Sequence, residues 1–322
     1  MAAGGFLLID KPEGPTSFRI LKPLRRLAPK GRIGYAGTLD SGASGLLVAA
    51  TGASCRLLSL VEAGEKEYLF RLHLGFSTDT GDLTGTETER AGDAARSFAE
   101  VRAVLPDFLG EQLQVPPVYS ALKIKGKRAS DLARRGKEVE LAPRRIEVKE
   151  LELLEPADGP ENHMHEKRTE FALRCVVSKG TYVRALGRDL AKALGTVGCV
   201  SKIRRTRIGS LRVGDAWSWN EDETPEFLPP EEAIPLPRLT ADPLELKLLR
   251  NGVRLDLVRF RAAGPGDVRE PKAGDRFFVL DESGRAFVCA EAKPGRDVAV
   301  AEGAGTGLVA AVRALLDGGS DG

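Results

Sequence analysis

The chain has 322 residues, more than one hydrophobic core usually organises, so a large domain followed by a smaller one is expected. Hydrophobic residues at 42% and charged residues at 29% suit a water-soluble globular protein, and no apolar run approaches the ~20 residues that span a bilayer, so no membrane partner is expected. The formal net charge of +2 does not by itself point to a polyanion, because binding depends on where the charge sits.

Along the chain, the run Phe6 to Ile9 is too short for a signal peptide and predicts a strand. Ser17 is read as the cap of a helix reaching about Leu27, with a kink at Pro23. A strand over Leu46 to Ala50, a helix over Ser54 to Glu62 and a strand over Glu67 to Gly75 follow. In the last of these Tyr68, Phe70, Leu72 and Leu74 share one face. A Gly- and Thr-rich loop is expected over Ser77 to Thr88, then a helix around Ala94 to Leu109 ended by Pro116 and Pro117. Strands are predicted at Tyr119 to Lys125, Arg145 to Leu154 and Glu170 to Ser178, and a helix from Thr181 to Leu194 stopped by Gly195. This order is not regularly βαβ and favours an α+β domain with a mixed, largely antiparallel sheet flanked by helices and loops. Prolines 225, 229, 230, 235 and 237 mark a connection, placing one domain at 1–238 and a small β-rich one at 239–322, with a hairpin at Arg276 to Leu280 and Arg285 to Ala290.

Basic residues cluster three times. Arg19, Lys22, Arg25, Arg26, Lys30 and Arg32 lie in a stretch without acids. Lys123, Lys125, Lys127, Arg128, Arg134, Arg135 and Lys137 form a second group, and Lys202, Arg204, Arg205, Arg207 and Arg212 a third. One cluster alone is more often a solvated face, but three in one domain favour RNA. The cysteines at 55, 175, 199 and 289 form no CxxC pair, which points to reduced thiols in a cytoplasm. His163 and His165 sit in a polar stretch better read as a loop than as a metal site, so no metal is expected.

The segment Gly34 to Gly45, GYAGTLDSGASG, sets Asp40 among small residues that let a ligand approach the backbone closely, although an Asp among glycines is usually only a turn residue. Further ordered blocks accompany it: Asp10 to Ser17 (DKPEGPTS), Lys66-Glu67-Tyr68, Leu74-Gly75 with Thr78 to Asp82, QVPPVYSALKIKG from Gln114 to Gly126, SKGTYVR from Ser178 to Arg184, and RRTRIG from Arg204 to Gly209. In order and spacing these blocks resemble the TruB-type tRNA pseudouridine synthases across nearly the whole first domain.

That resemblance implies the pseudouridine synthase fold with a PUA-like RNA-binding domain at the C-terminus. It also implies isomerisation of a uridine in the T loop of tRNA, position 55, by base flipping, with no cofactor and as a monomer without an obligate protein partner. By motif, Asp40 matches the catalytic aspartate, Tyr68 the active-site tyrosine and Arg184 the arginine paired with the aspartate. Tyr182 and Ile203 fall in the base pocket. Lys11, Tyr35, Lys125, Lys127, Arg134 and Arg135 fall on the RNA-binding side. These residue types suit the chemistry. Desolvation can raise a carboxylate pKa by up to ~3–5 units and a neighbouring Arg lowers it by about 1–3, while the planar guanidinium also fixes the carboxylate's orientation.

The chain departs from the family at two places. Tyr35-Ala36 stands where His-Thr is usual, and Ser41-Gly42 where Pro-Leu follows the aspartate. A tyrosine keeps an aromatic face for stacking but no imidazole, and Ser-Gly loosens the loop that carries Asp40. Two competing readings use the same surface: a tRNA folding chaperone with little or no catalysis, and a pseudouridine synthase for another RNA. A carbohydrate-active enzyme is disfavoured, since Asp40 has no evident partner carboxylate.

Overall fold

The computed structural model describes residues 4–28, 31–120, 122–124, 126–135, 139–154, 166–220, 223, 225–264, 271–294 and 308–315. A ten-stranded sheet dominates. Its main path runs Trp217–Ser218, Phe6–Lys11, Ser44–Thr51, Gly198–Ile208, Lys66–Leu74, Glu170–Val177, Arg144–Leu154 and Gly110–Gln114. Phe6–Lys11 beside Trp217–Ser218 and Ser44–Thr51 beside Gly198–Ile208 are parallel; the other neighbours on this path are antiparallel. The α+β expectation with a largely antiparallel sheet is thus met.

The helices Ser17–Leu24, Phe98–Val104 and Val183–Ala193 close one face over a core that includes Leu7, Leu47, Phe70, Leu72, Phe171, Leu173 and Leu190. Val183–Ala193 lies very close to the sheet, because a Cβ at Gly187 would overlap the Val200 side chain. The opposite face, with Phe6, Leu46, Val48 and Ile208, shares a cluster with Phe278, Leu280 and Cys289 of a second, six-stranded sheet. That sheet starts at Arg238–Thr240 and contains the hairpin Arg276–Leu280 and Ala286–Pro294. It has a core of its own around Leu239, Leu249, Phe277 and Val288.

Several local readings change. Thr16, not Ser17, caps the first helix, its Oγ1 accepting from the Arg19 N–H at 3.2 Å. Pro23 lies inside that helix, which ends one residue later and passes into a 3-10 turn, Arg25–Leu27. The expected loop at Ser77 to Thr88 is flanked by a hairpin, Phe76–Thr78 with Glu87–Arg90. The helix begun at Phe98 ends well before Pro116, because the strand Gly110–Gln114 intervenes. Among the described residues of Tyr119 to Lys125, Lys123–Ile124 alone is strand. The 11-residue strand Gly198–Ile208, at the middle of the sheet, was not anticipated, since its dense charge hid the apolar alternation. His163, His165, Lys125 and Lys137 lie outside the described residues.

Candidate active site

The register of three adjacent strands builds the site. Gly45 pairs with Arg205, and Arg205 with Tyr68, so the end of the Asp40 loop, the central strand and the tyrosine lie side by side. Gly45 has φ +98°, and a Cβ there would overlap the Arg205 carbonyl, so only glycine lets the two strands close at this point. On the central strand the pairing shifts between Ser201 and Arg204, a bulge that leaves Ile203 lining the cleft.

Asp40 sits just ahead of this junction, and its loop is held from below. The Ser17 hydroxyl donates to the Leu39 carbonyl at 2.9 Å and accepts from the Leu39 N–H at 3.1 Å, while the Gly14 N–H donates to the Ser41 carbonyl at 2.8 Å. The DKPEGPTS block is therefore the seat of the Asp40 loop. Its lysine, expected at the RNA-binding surface, is a correction: Lys11 is fully buried, and its Nζ donates to the carbonyls of Pro12 and Pro15, both at 2.8 Å. Burial lowers the Lys11 pKa to about 8, although Asp40 and Glu13 pull it back up.

Arg184, the second residue of its helix, is 5% exposed and reaches Asp40, which is 47% exposed, at 2.7 Å between Nη2 and Oδ2. The same guanidinium donates to the Thr80 carbonyl at 2.7 Å and the Tyr119 carbonyl at 2.9 Å, with Asp82 Oδ2 3.9 Å from Nε. One fork therefore ties together the Asp40 loop, the 79–86 loop and the chain entering the basic segment. The 79–86 loop is in turn organised by Asp82 Oδ1, which accepts from the Thr84 N–H at 2.9 Å and the Thr80 hydroxyl at 2.8 Å.

Asp40, Tyr68, Tyr182, Arg184 and Ile203 all line a cleft of about 270 Å³. Tyr182 is fixed by Gln114, the first residue of the QVPPVYSALKIKG block, to which the motif assigned no role. The buried Gln114 amide accepts from the Tyr182 N–H at 2.9 Å and donates to its carbonyl at 3.2 Å. Burial pushes the Tyr182 phenol pKa up. Lys66 forms part of the wall and donates to the Glu62 carbonyl and, at 2.7 Å, to that of Gly64; burial and the nearby Arg205 lower its pKa to about 8.

Tyr35 does not line this cleft; it is half-buried against the core, paired with Ala49. The third basic cluster is also a correction, because the fold uses most of it. Arg204 forms a two-pronged pair with Asp10 at 2.9 and 2.7 Å, and Arg207 reaches the Gly209 carbonyl at 3.0 Å. Arg205 is buried, donating to the carbonyls of Leu46 at 2.8 Å and Gly37 at 3.0 Å. Arg134 and Arg135 are exposed, and Arg134 has Asp131 at 3.5 Å. Among the described residues no group of three acids, histidines or cysteines is arranged to hold a metal, and no helix is long and apolar enough to cross a membrane.

Comparison with known proteins points to one family. The family model described as TruB family pseudouridylate synthase (N terminal domain) matches residues 25–183. A protein of Paracoccus denitrificans named tRNA pseudouridine synthase B is 35% identical over 88% of this chain and 90% of its own. One of the same name from Brucella anthropi is 37% identical over 78% of this chain and 76% of its own. Among solved structures, an H/ACA ribonucleoprotein bound to a substrate RNA containing 2′-deoxyuridine superposes with a TM-score of 0.66 at 22% identity. That match covers 97% of this chain and 84% of the solved one, and the likeness extends to the fold.

Proposed function

The chain belongs to the TruB family of pseudouridylate synthases, and we propose that it isomerises a uridine in the T loop of tRNA to pseudouridine, with Asp40 as the catalytic residue. The observation that carries this reading is the half-exposed Asp40 carboxylate held at 2.7 Å by the buried Arg184 on the floor of the cleft. A uridine inside a folded loop has to leave its stack to reach such a floor, and the cleft takes the extruded base.

The reaction breaks the N1–C1′ bond and forms a C5–C1′ bond; the C5 proton is lost and N1 ends protonated. Asp40 is the group that engages the sugar. Arg184 orients its carboxylate through the 2.7 Å ion pair. In this reading Tyr68 and Ile203, which both line the cleft, bound the faces of the base, and the Tyr68 hydroxyl is the group assigned to the C5 proton. Thr181 lines the cleft, and its buried hydroxyl has no hydrogen-bond partner among the described residues.

The reading assigns the catalytic unit to residues 1–238 and a PUA-like RNA-binding unit to 239–322, in a monomer working in the cytoplasm. Asp40→Asn tests it: on a T stem-loop RNA, pseudouridine mapping should find no product, while RNA affinity stays within about tenfold because few phosphate contacts are lost. Retained turnover in that variant removes Asp40 from its role.

A further inference from the structure

Beside the cleft, on the other side of Asp40, lies an annex of about 80 Å³ whose lining includes Glu13, Asp40, Asp82, Leu83, Lys202 and Ile203. It shares Asp40, Ala43 and Ile203 with the cleft but has less than a third of its volume, so it suits a group slimmer than a base. Its walls differ in character. Leu83, half exposed, gives an apolar side and Lys202 a cationic lip, while of the three carboxylates on the wall Asp40 and Asp82 face Arg184 at 2.7 and 3.9 Å and Glu13 faces Lys202 at 3.2 Å.

Lys202 is unusual in its backbone. With φ +49° it is, among the described residues, the one non-glycine in the left-handed region, and it sits in the bulge between Ser201 and Arg204. Strain of this kind persists where the surroundings impose it, and it concentrates at functional places. Here the bulge leaves Ile203 in the cleft and Lys202 at the mouth of the annex. The lysine is 67% exposed, with Glu13 Oε2 at 3.2 Å across that mouth. An exposed pair of this type contributes little and exchanges partners readily.

On the function proposed above, a base in the cleft puts its sugar at Asp40, and the RNA strand must continue past the carboxylate. The adjoining phosphate then approaches an anion, and it needs a cation on that side. Arg184 is committed to Asp40 and two carbonyls, and Lys11 is buried on carbonyls of its own loop. Lys202 is the exposed cation of the annex. We propose that the annex is a subsite for the phosphodiester adjoining the flipped nucleotide, and that Lys202 leaves Glu13 to bind that phosphate. This inference rests on the functional reading.

The test uses the full chain and T stem-loop RNAs carrying a single methylphosphonate on either side of the target uridine. In single-turnover assays Lys202→Gln should raise the half-saturating RNA concentration about five- to tenfold and leave the saturating rate within about twofold. Lys202→Arg should restore binding. Lys202→Gly, which accepts the positive φ without strain, should behave like Lys202→Gln, separating the charge from the backbone. One of the two methylphosphonates should weaken binding by wild type and cost the Lys202→Gln enzyme nothing further. An active wild type in which both methylphosphonate penalties multiply with that of Lys202→Gln overturns the subsite alone. A wild type that leaves the uridine unchanged overturns the functional reading and the subsite with it.

Discussion

Arg205 and Arg134 are the same residue type in two basic clusters of similar appearance, yet the fold treats them in opposite ways. Arg205 is buried beside the cleft on the carbonyls of Leu46 and Gly37. Arg134, 69% exposed, has Asp131 at 3.5 Å. The difference extends to their neighbours: Lys11, Lys66 and Arg184 end on backbone carbonyls near the cleft, and Arg204 on Asp10. These cations brace the loops around Asp40. Arg134 and Arg135 are exposed and remain available to a polyanion.

Removing a bracing cation should therefore cost stability first. Arg205→Met leaves two carbonyls without their donor in a dry place, at about 1–3 kcal/mol each, and the expected loss is about 4 kcal/mol by urea denaturation. A loss below about 1 kcal/mol would show that water replaces the guanidinium and that the contrast with Arg134 is one of exposure only.

Lys66 gives the contrast a pH dependence. Burial holds its folded pKa near 8, against about 10.5 in the unfolded chain, so between these values the unfolded state binds more protons. Its contribution is complete above 10.5 and is lost as pH falls through about 8. Wild type should gain on Lys66→Met by up to about 3 kcal/mol between pH 7.5 and 10.5. Lys11 and Tyr182 titrate in both proteins and cancel in the difference. Parallel denaturation curves with no change in the gap contradict a desolvated ammonium at Lys66.

Arg184→Lys keeps the charge but loses the fork. One ammonium cannot hold Asp40, the Thr80 carbonyl and the Tyr119 carbonyl in their present directions, so turnover should fall about hundredfold, with a smaller change in RNA affinity. An equal loss in both would make Arg184 a binding residue.

Much of this was legible in the residues. The strands expected at Glu67 to Gly75, Arg145 to Leu154 and Glu170 to Ser178 are found as Lys66–Leu74, Arg144–Leu154 and Glu170–Val177, and the ordered motifs gave Asp40, Tyr68, Tyr182, Arg184 and Ile203, which the fold brings to one cleft. What stayed hidden depends on long-range partners. Ser17 looked like a helix cap because its hydroxyl's partner, Leu39, lies 22 residues away. Gln114 gave no sign of holding Tyr182 across 68 residues. The strand Gly198–Ile208 went unseen because its arginines find carbonyl or carboxylate partners that only the folded sheet supplies.

The exposed side of the contrast gives the smallest effect and the most direct test of its meaning. Neutralising Lys125, Lys127, Arg134 and Arg135 together should weaken tRNA binding about tenfold near physiological salt, about 1.4 kcal/mol. It should also flatten the salt dependence, each lost phosphate contact reducing the logarithmic slope by about 0.7–0.9. Turnover at saturating RNA should hardly move, since Arg134 and Arg135 lie outside the cleft lining. Arg204→Gln is the matched control. Its guanidinium is already satisfied by Asp10 at 2.9 and 2.7 Å, so its loss should leave the salt slope where it was. A flattened slope for Arg204→Gln, or an unchanged one for the fourfold variant, would reverse which arginines face the RNA.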